Sequence, residues 1–304
     1  MDLLLSVLSF ILVFLVSGNN LSASSGSIIT SRMVRRHAGI AIYAIGCIFG
    51  LLFEGHLLSY GFNQIFHSVP GNLVAIPLLI GIIIFLITNK LRVPQSLSIT
   101  FTTALMGIGF AFGDEINYLF AGSIILFWII AGIASIALTI VSMRLSSAFI
   151  RKRDIWKSLR RIKLLLVIIS FFTAFTLGAN TFGLIMVSVT GYVSPYLIAV
   201  AIILGSAFAS SGTLKRVGND ILPTRYLNAL VSQSISVLLV EIGTLFSVPI
   251  SNTQTYTASL YGATLSYDTK LFRRKPLIEM TFTWVGTALI SFLAGYACIF
   301  MLVH

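Results

Sequence analysis

Long apolar stretches run through this chain from end to end, separated by short polar breaks. Only 10% of the residues are charged, whereas soluble domains carry about 25%. A helix of roughly 20 apolar residues spans the hydrocarbon core of a bilayer, and the shorter alternating segments of a membrane β-barrel are missing from this sequence. The pattern predicts an all-α polytopic membrane protein with about ten transmembrane crossings, at residues 3–30, 38–58, 72–89, 93–113, 117–143, 164–190, 193–212, 226–246, 249–267 and 277–302.

The predicted crossings place all of the basic residues on one side of the membrane. The formal net charge is +11, and all 20 Lys and Arg residues fall in every second loop, within residues 31–37, 90–92, 144–163, 213–225 and 270–275. Basic loops face the cytoplasm, so both termini are predicted to be extracytoplasmic and the protein to lie in the plasma membrane. The positive charge is therefore interpreted as a topology signal that contacts the lipid bilayer, and no nucleic-acid partner is predicted.

The two halves of the chain carry the same motifs in the same order. A Gly and Asn motif stands inside an apolar stretch at residues 15–20 (LVSGNN) and again at 175–180 (FTLGAN). A proline followed by alternating hydroxyl residues occurs at 93–102 (VPQSLSITFT) and at 248–257 (VPISNTQTYT). The sequence thus predicts two repeats, residues 1–147 and 164–304, joined by a basic cytoplasmic linker at 148–163.

Each predicted repeat has five crossings, so the second must be inverted relative to the first. Inverted repeats with interrupted or re-entrant helices are typical of secondary transporters, which bind their substrate near the membrane midplane. We expect the Gly-Asn and Pro motifs to interrupt their helices, because irregular backbone at membrane depth is tolerated only around a cavity or inside protein. A carrier with alternating access is the function that this arrangement favours.

The residues of these motifs suit an anion. A helix that restarts at Pro94 or Pro249 presents free N–H groups and the positive end of its dipole. Because the basic residues are confined to loops, neutral donors alone would hold an anion inside the membrane. The alternative is that the hydroxyl groups bond to carbonyls of their own helices. The predicted substrate-binding residues are Asn20, Ser96, Ser98, Thr100, Asn180, Thr181, Ser251, Thr253 and Thr255.

On these motifs the whole chain resembles the PiT-type inorganic phosphate transporter family, whose halves each carry a G-A-N-D-V-A-N type and a P-V-S-T-T-H-T type motif. The resemblance implies cation-coupled uptake of inorganic phosphate, often by a homodimer. The chain departs from the family at the acidic position, where it has Leu21 and Thr181, and at the histidine, where it has Gln254. A neutral, donor-rich pocket also suits sulfate, which only accepts hydrogen bonds, so a sulfate permease of the same family is the alternative.

The loss of the acidic residues leaves the coupling ion open between Na⁺ and H⁺. The amides of Asn20, Asn180 and Gln254 are candidate ligands for a coupling cation. Glu241 is the candidate for proton coupling, because a carboxyl inside an apolar crossing is costly unless it is protonated or paired. Glu54, at the outer end of its crossing, is interpreted as solvated. No other cofactor is predicted.

Other classes of protein fit the sequence less well. The four histidines form no H-E-x-x-H motif, and the sequence has no acidic cluster of the kind that metal chemistry requires. An enzyme is therefore not predicted. An anion channel also uses a neutral lining, but the predicted inverted repeat favours a symporter.

Overall fold

The computed structural model describes residues 2–66, 71–91, 93, 95–112, 117–150, 155–209, 226–267 and 274–303. Every regular element in these ranges is helical, and a π-helical segment, Gly178–Phe182, stands between two of the α-helices. The α-helices are α1 (Asp2–Ser24), α2 (Gly26–Thr30), α3 (Arg36–Glu54), α4 (Ser59–Phe66), α5 (Ala75–Leu91), α6 (Leu97–Phe112), α7 (Tyr118–Ile150), α8 (Ile155–Leu177), α9 (Gly183–Ser188), α10 (Pro195–Phe208), α11 (Tyr226–Leu245), α12 (Asn252–Tyr267) and α13 (Arg274–Val303).

Several of these helices are long and apolar enough to cross a membrane. Large apolar side chains such as Leu119 and Phe282 are exposed on the outside of the protein, as expected where the surrounding solvent is lipid. An all-helical protein that spans the membrane is therefore confirmed, while the count of ten crossings stays a prediction. The six spanning segments found in the described ranges are Leu3–Ser24, Arg36–Ile65, Tyr118–Ser146, Leu159–Ser188, Tyr226–Leu245 and Thr281–Leu302.

Helices from the two halves of the chain pack against each other in matching pairs. Helix α1 packs on α10 and α3 on α8, while α6 packs on α13 and α7 on α12. When the sequence motifs are superimposed, α1 corresponds to α8, α3 to α10, α6 to α12 and α7 to α13, so every one of these contacts has a counterpart. The halves interlock rather than forming separate domains, and the predicted linker at 148–163 contains the end of α7 and the start of α8.

Glycine allows the closest of these helix contacts. A Cβ atom on Gly178 would lie 2.0 Å from the carbonyl oxygen of Cys47, and one on Gly50 would lie 1.9 Å from the carbonyl oxygen of Phe175. Helix α3 and the end of α8 therefore touch backbone to backbone. Small residues permit this approach in membrane proteins, where close packing rather than exclusion of water holds helices together. The contact fixes the π-helical segment against α3.

We expect Gly178→Ala to lower the free energy of unfolding by about 2–3 kcal/mol, because the added methyl group fits only if the two backbones separate. The midpoint of thermal unfolding of the detergent-solubilised protein measures this change. Gly122→Ala is the matched control, since a Cβ on Gly122 has no neighbour within 4 Å in the described ranges and alanine is favoured over glycine inside a helix. Equal midpoints for the two variants would contradict the backbone contact.

Candidate functional site

The two Gly-Asn motifs do not interrupt their helices in the predicted way. In the first half, α1 continues through Gly18 to Ser24, and the interruption comes at Ser25, before α2. In the second half, the helix widens into the π-helical segment Gly178–Phe182 and continues as α9. The prediction of a break at residues 18–20 is therefore wrong. Its physical reason is that Asn19 bonds to neighbouring segments instead of competing for its own helix backbone.

Asn180 is fully buried and holds the segment that leads into α12. Its Nδ2 atom donates to the Thr244 Oγ1 atom at 2.9 Å and to the carbonyl oxygen of Val248 at 3.1 Å. Its Oδ1 atom accepts the backbone N–H of Ile250 at 2.9 Å. One amide thus satisfies both a backbone donor and a backbone acceptor of a buried non-helical segment.

Asn19 makes the equivalent bonds in the first half. Its Nδ2 atom donates to the carbonyl oxygen of Val93 at 3.3 Å and to the Oδ1 atom of Asn89. Its Oδ1 atom accepts the backbone N–H of Gln95 at 3.1 Å. We call these two arrangements the Asn19 clamp and the Asn180 clamp. Each holds the segment before a hydroxyl-rich helix, α6 or α12.

The sequence motif aligns Asn180 with Asn20. In the structure, however, Asn19 is the residue that makes the same kinds of hydrogen bond as Asn180. A π-helical turn closes one residue later than an α-helical turn, and this extra residue in the second half shifts the register. The pairing of Asn20 with Asn180 is wrong for this reason, and Asn20 corresponds instead to Thr181. Both side chains are buried, and the Asn20 Oδ1 atom has no hydrogen-bond partner among the residues that the structure describes.

Two of the predicted hydroxyl donors cap helices. The Ser96 Oγ atom accepts the backbone N–H of Ile99 at 3.2 Å, and the Ser251 Oγ atom accepts that of Gln254 at 3.1 Å. Serine at this position satisfies one of the free N–H groups of a helix N-terminus. Ser96 and Ser251 therefore stabilise the starts of α6 and α12.

Two further hydroxyl groups bond to their own helices. The Thr100 Oγ1 atom donates to the carbonyl oxygen of Ser96 at 2.9 Å, and the Thr255 Oγ1 atom donates to that of Ser251 at 3.2 Å. This is the alternative that the sequence left open. The Gln95 Nε2 atom also donates to Thr100. Thr100 and Thr255 therefore have no hydroxyl hydrogen left for a ligand.

Ser98 and Thr253 are the remaining pair. Both are buried in the first turns of α6 and α12, where the helix leaves N–H groups without an internal acceptor. The Ser98 Oγ atom donates to the Asn180 Oδ1 atom at 3.5 Å, and the Thr253 Oγ1 atom lies 3.1 Å from the Ser251 Oγ atom. Ser98 thus joins the hydroxyl motif of the first half to the clamp of the second. We call Ser98 and Asn180, together with Thr253 at the equivalent position of α12 and the first turns of α6 and α12, the Asn180 site.

Gln254 points away from this site. Its Nε2 atom donates to the carbonyl oxygen of Trp128 at 3.4 Å. Together with Trp128 and Trp284, it lines a separate, mostly apolar cavity of about 410 Å³. The structure therefore does not bring Gln254 together with Asn180.

Glu241 meets a second carboxyl group. Its carboxyl group lies close enough to that of Glu54, at the end of α3, for the two groups to interact, and one oxygen of each carboxyl is buried without a hydrogen-bond partner among the described residues. The interpretation of Glu54 as solvated is wrong, because it is partly buried against Glu241. The two residues come from different halves of the chain, so no local pattern could pair them. Glu241 stands one helical turn from Thr244, which Asn180 contacts.

Comparison with known proteins gives three results. Residues 155–295 match the family model of the phosphate transporter family. A protein of Methanocaldococcus jannaschii, whose name proposes a phosphate permease, is 25% identical over 292 residues, which cover 95% of this chain and 94% of that protein. A solved structure described as the sodium-dependent phosphate transporter has a TM-score of 0.86 at 14% identity, and the match covers 99% of this chain and 98% of that one. The resemblance predicted from the motifs is therefore confirmed.

Proposed function

We propose that this chain, a relative of the phosphate transporter family, is a secondary active symporter that carries inorganic phosphate across the plasma membrane. The contact between Ser98 and Asn180 is the observation that carries the proposal, because it brings the hydroxyl motif of one half against the clamp of the other. One oxyanion would bind in the Asn180 site. Movement of the halves would then open this site to each side of the membrane in turn.

The proposed architecture has ten crossings in two inverted repeats, with both termini outside the cell and two copies forming a homodimer. The matching helix pairs support the repeats, since α1 with α10 and α3 with α8 are contacts that an internal two-fold axis would relate. The Asn19 and Asn180 clamps support them as well. The orientation rests on the basic loops of the sequence.

Neutral donors are the proposed ligands of the anion. The Asn180 site offers hydroxyl groups and the N–H groups of two helix N-termini, which favour negative charge. Hydrogen bonds to a charged partner contribute about 1.5–3 kcal/mol each. A few such donors replace the hydration of the anion without a fixed positive charge, which would hinder its release.

Asn20 favours phosphate over sulfate, the second candidate substrate. Phosphate near neutral pH carries a proton that needs an acceptor, whereas sulfate carries none. Within the described part of the chain, the Asn20 Oδ1 atom is a buried acceptor without a hydrogen-bond partner, and Asn20 is the residue next to Asn19. A protonated phosphate oxygen would donate to this atom, while sulfate would leave it unsatisfied at a cost of about 1–3 kcal/mol.

The coupling ion is proposed to be H⁺, held by the pair of Glu54 and Glu241. Two neighbouring carboxyl groups repel each other when both are ionised, so the pair favours holding one proton. Gain or loss of a proton would change the charge one turn from Thr244 and hence beside the Asn180 clamp. Na⁺ is the alternative. Asn20 is its better ligand, because the Oδ1 atom of Asn180 already accepts hydrogen bonds from Ile250 and Ser98.

Proteoliposomes test this function. Labelled phosphate and labelled sulfate are supplied separately, each under an imposed pH gradient or an imposed Na⁺ gradient. We expect phosphate to accumulate under the pH gradient and excess sulfate to compete weakly. Stimulation of uptake by phosphate inside the vesicles would indicate a carrier rather than a channel. Absence of uptake of both anions would overturn the proposed function.

We expect Glu241→Gln to abolish accumulation of phosphate driven by a pH gradient, because the amide cannot exchange the proton. Exchange of phosphate between the two sides at equal pH should persist in the variant. Glu279→Gln is the matched control, since Glu279 is an exposed glutamate on α13. Undiminished pH-driven accumulation in Glu241→Gln would sink the idea of proton coupling at this pair.

A further inference from the structure

A basic cavity lies where the end of α2 meets the start of α8. Its volume is about 650 Å³, and the side chains of Arg32, Arg160, Arg161 and Lys163 line it beside the apolar Leu164. No carboxylate is among the described residues of its lining. Four positive charges around one cavity repel one another. An anion between them would relieve this repulsion.

Arg32 ends helix α2 in a left-handed backbone conformation. Its φ is +55°, in the left-handed region that L side chains adopt only at a steric cost. Arg32 occupies the position after α2 where helices commonly place glycine: its N–H donates to the carbonyl oxygen of Ile29, and the N–H of Met33 donates to that of Ile28, both at 3.0 Å. This turn places the guanidinium group of Arg32 at the cavity.

A third observation concerns Lys163. Its Nζ atom lies 5.3 Å from the ring centroid of Tyr226, at the start of α11, a distance at which the aromatic face attracts the cation. The ring therefore holds Lys163 beside the cavity rather than leaving it free in solvent. Cations from the end of α2 and from α8 are thus presented to one space.

We propose that this cavity binds a phosphate group, at a site separate from the Asn180 site. The guanidinium groups of arginine match the oxygens of a phosphate in pairs, and lysine adds a compact charge. The group could belong to inorganic phosphate or to the headgroup of an anionic phospholipid, whose chains would pack against Met33 and Leu164. Both sources present the same chemistry to the four cations.

The bound phosphate group would connect α2 with α8, close to a set of hydrogen bonds that already connects α1 with α8. Gln233 is fully buried, and its Nε2 atom donates to the carbonyl oxygen of Ser24 at 2.6 Å. The Oε1 atom of Gln233 accepts the hydroxyl of Ser170, on α8, at 3.2 Å. A phosphate group between Arg32 and Arg160 would therefore stabilise the same packing of α1 and α2 on α8. This consequence holds whatever substrate the Asn180 site carries.

Thermal unfolding of the purified full chain tests the site. One arm adds inorganic phosphate in detergent, with chloride as the reference, and the other compares nanodiscs of phosphatidylglycerol with nanodiscs of phosphatidylcholine. The variants are Arg32→Gly, which suits the left-handed backbone, and Arg160→Gln, which keeps the helix. Lys90→Ala is the control, because Lys90 is an exposed cation at the end of α5 that does not line the cavity.

We expect the wild-type midpoint to rise with at least one ligand. In both cavity variants, the ligand concentration or lipid fraction that gives half of this rise should increase about tenfold, with no change in Lys90→Ala. Loss confined to the phosphate arm would identify a free oxyanion, and loss confined to the lipid arm would identify a headgroup. Equal responses of the wild type and both cavity variants, or an equal loss in Lys90→Ala, would overturn the proposal.

Discussion

Asn180→Asp is expected to reduce phosphate uptake by about 100-fold or more. The two side chains have nearly the same shape, but the carboxylate cannot donate to the carbonyl oxygen of Val248, as Asn180 does at 3.1 Å. Two oxygens would then face each other, and the new negative charge would repel an anion in the Asn180 site. Two effects of about 1.5 kcal/mol each give this factor, since each 1.4 kcal/mol is tenfold.

Initial rates of labelled phosphate uptake into proteoliposomes measure this effect. Asn117→Asp is the matched control, because Asn117 is an exposed amide that donates to Gln64 at 2.7 Å and lies outside the site. It should keep the wild-type rate. Elution as a single species in gel filtration and an unfolding midpoint near that of the wild type establish that Asn180→Asp is folded. A folded variant with normal uptake would remove Asn180 from the transport pathway.

The helices could be predicted from the sequence because apolar length is a local property. The predicted crossing at 226–246 corresponds to α11 (Tyr226–Leu245), and the one at 277–302 lies within α13 (Arg274–Val303). The interruptions were predicted less well. Whether a Gly-Asn pair breaks a helix depends on what its amide finds across the interface, and for Asn19 that partner is the segment before α6.

The site could be predicted only in outline. The repeated motif correctly indicates that two hydroxyl-rich helices, α6 and α12, begin beside the clamps. It cannot predict which hydroxyl groups bond to their own helix and which face another segment, because both kinds have the same sequence context. Nor can it pair Glu54 with Glu241, whose contact depends on the packing of α3 near α11.

Ser98→Ala combined with Thr253→Val is expected to raise the KM for phosphate uptake about 100-fold. Each substitution removes one hydroxyl group from the Asn180 site, at about 1.4 kcal/mol, and the Ser98 hydroxyl would exchange its long 3.5 Å bond to Asn180 for a bond to the anion. Each single variant should therefore raise KM about tenfold. Saturation curves of initial uptake rates measure these values and separate KM from the maximal rate.

Thr100→Val is the matched control for the loss of a hydroxyl group from this motif. Thr100 follows Ser98 by two residues in the same motif, but its hydroxyl group already donates to the carbonyl oxygen of Ser96. We expect the KM of Thr100→Val to stay within about threefold of the wild-type value, because a hydroxyl group that bonds to its own helix is not available to the anion. If Thr100→Val and Ser98→Ala raise KM equally, both hydroxyl groups stabilise the helix and neither has a specific role in binding the anion. If only Ser98 and Thr253 matter, the alternate positions of the motif have separate roles, one structural and one in binding the anion.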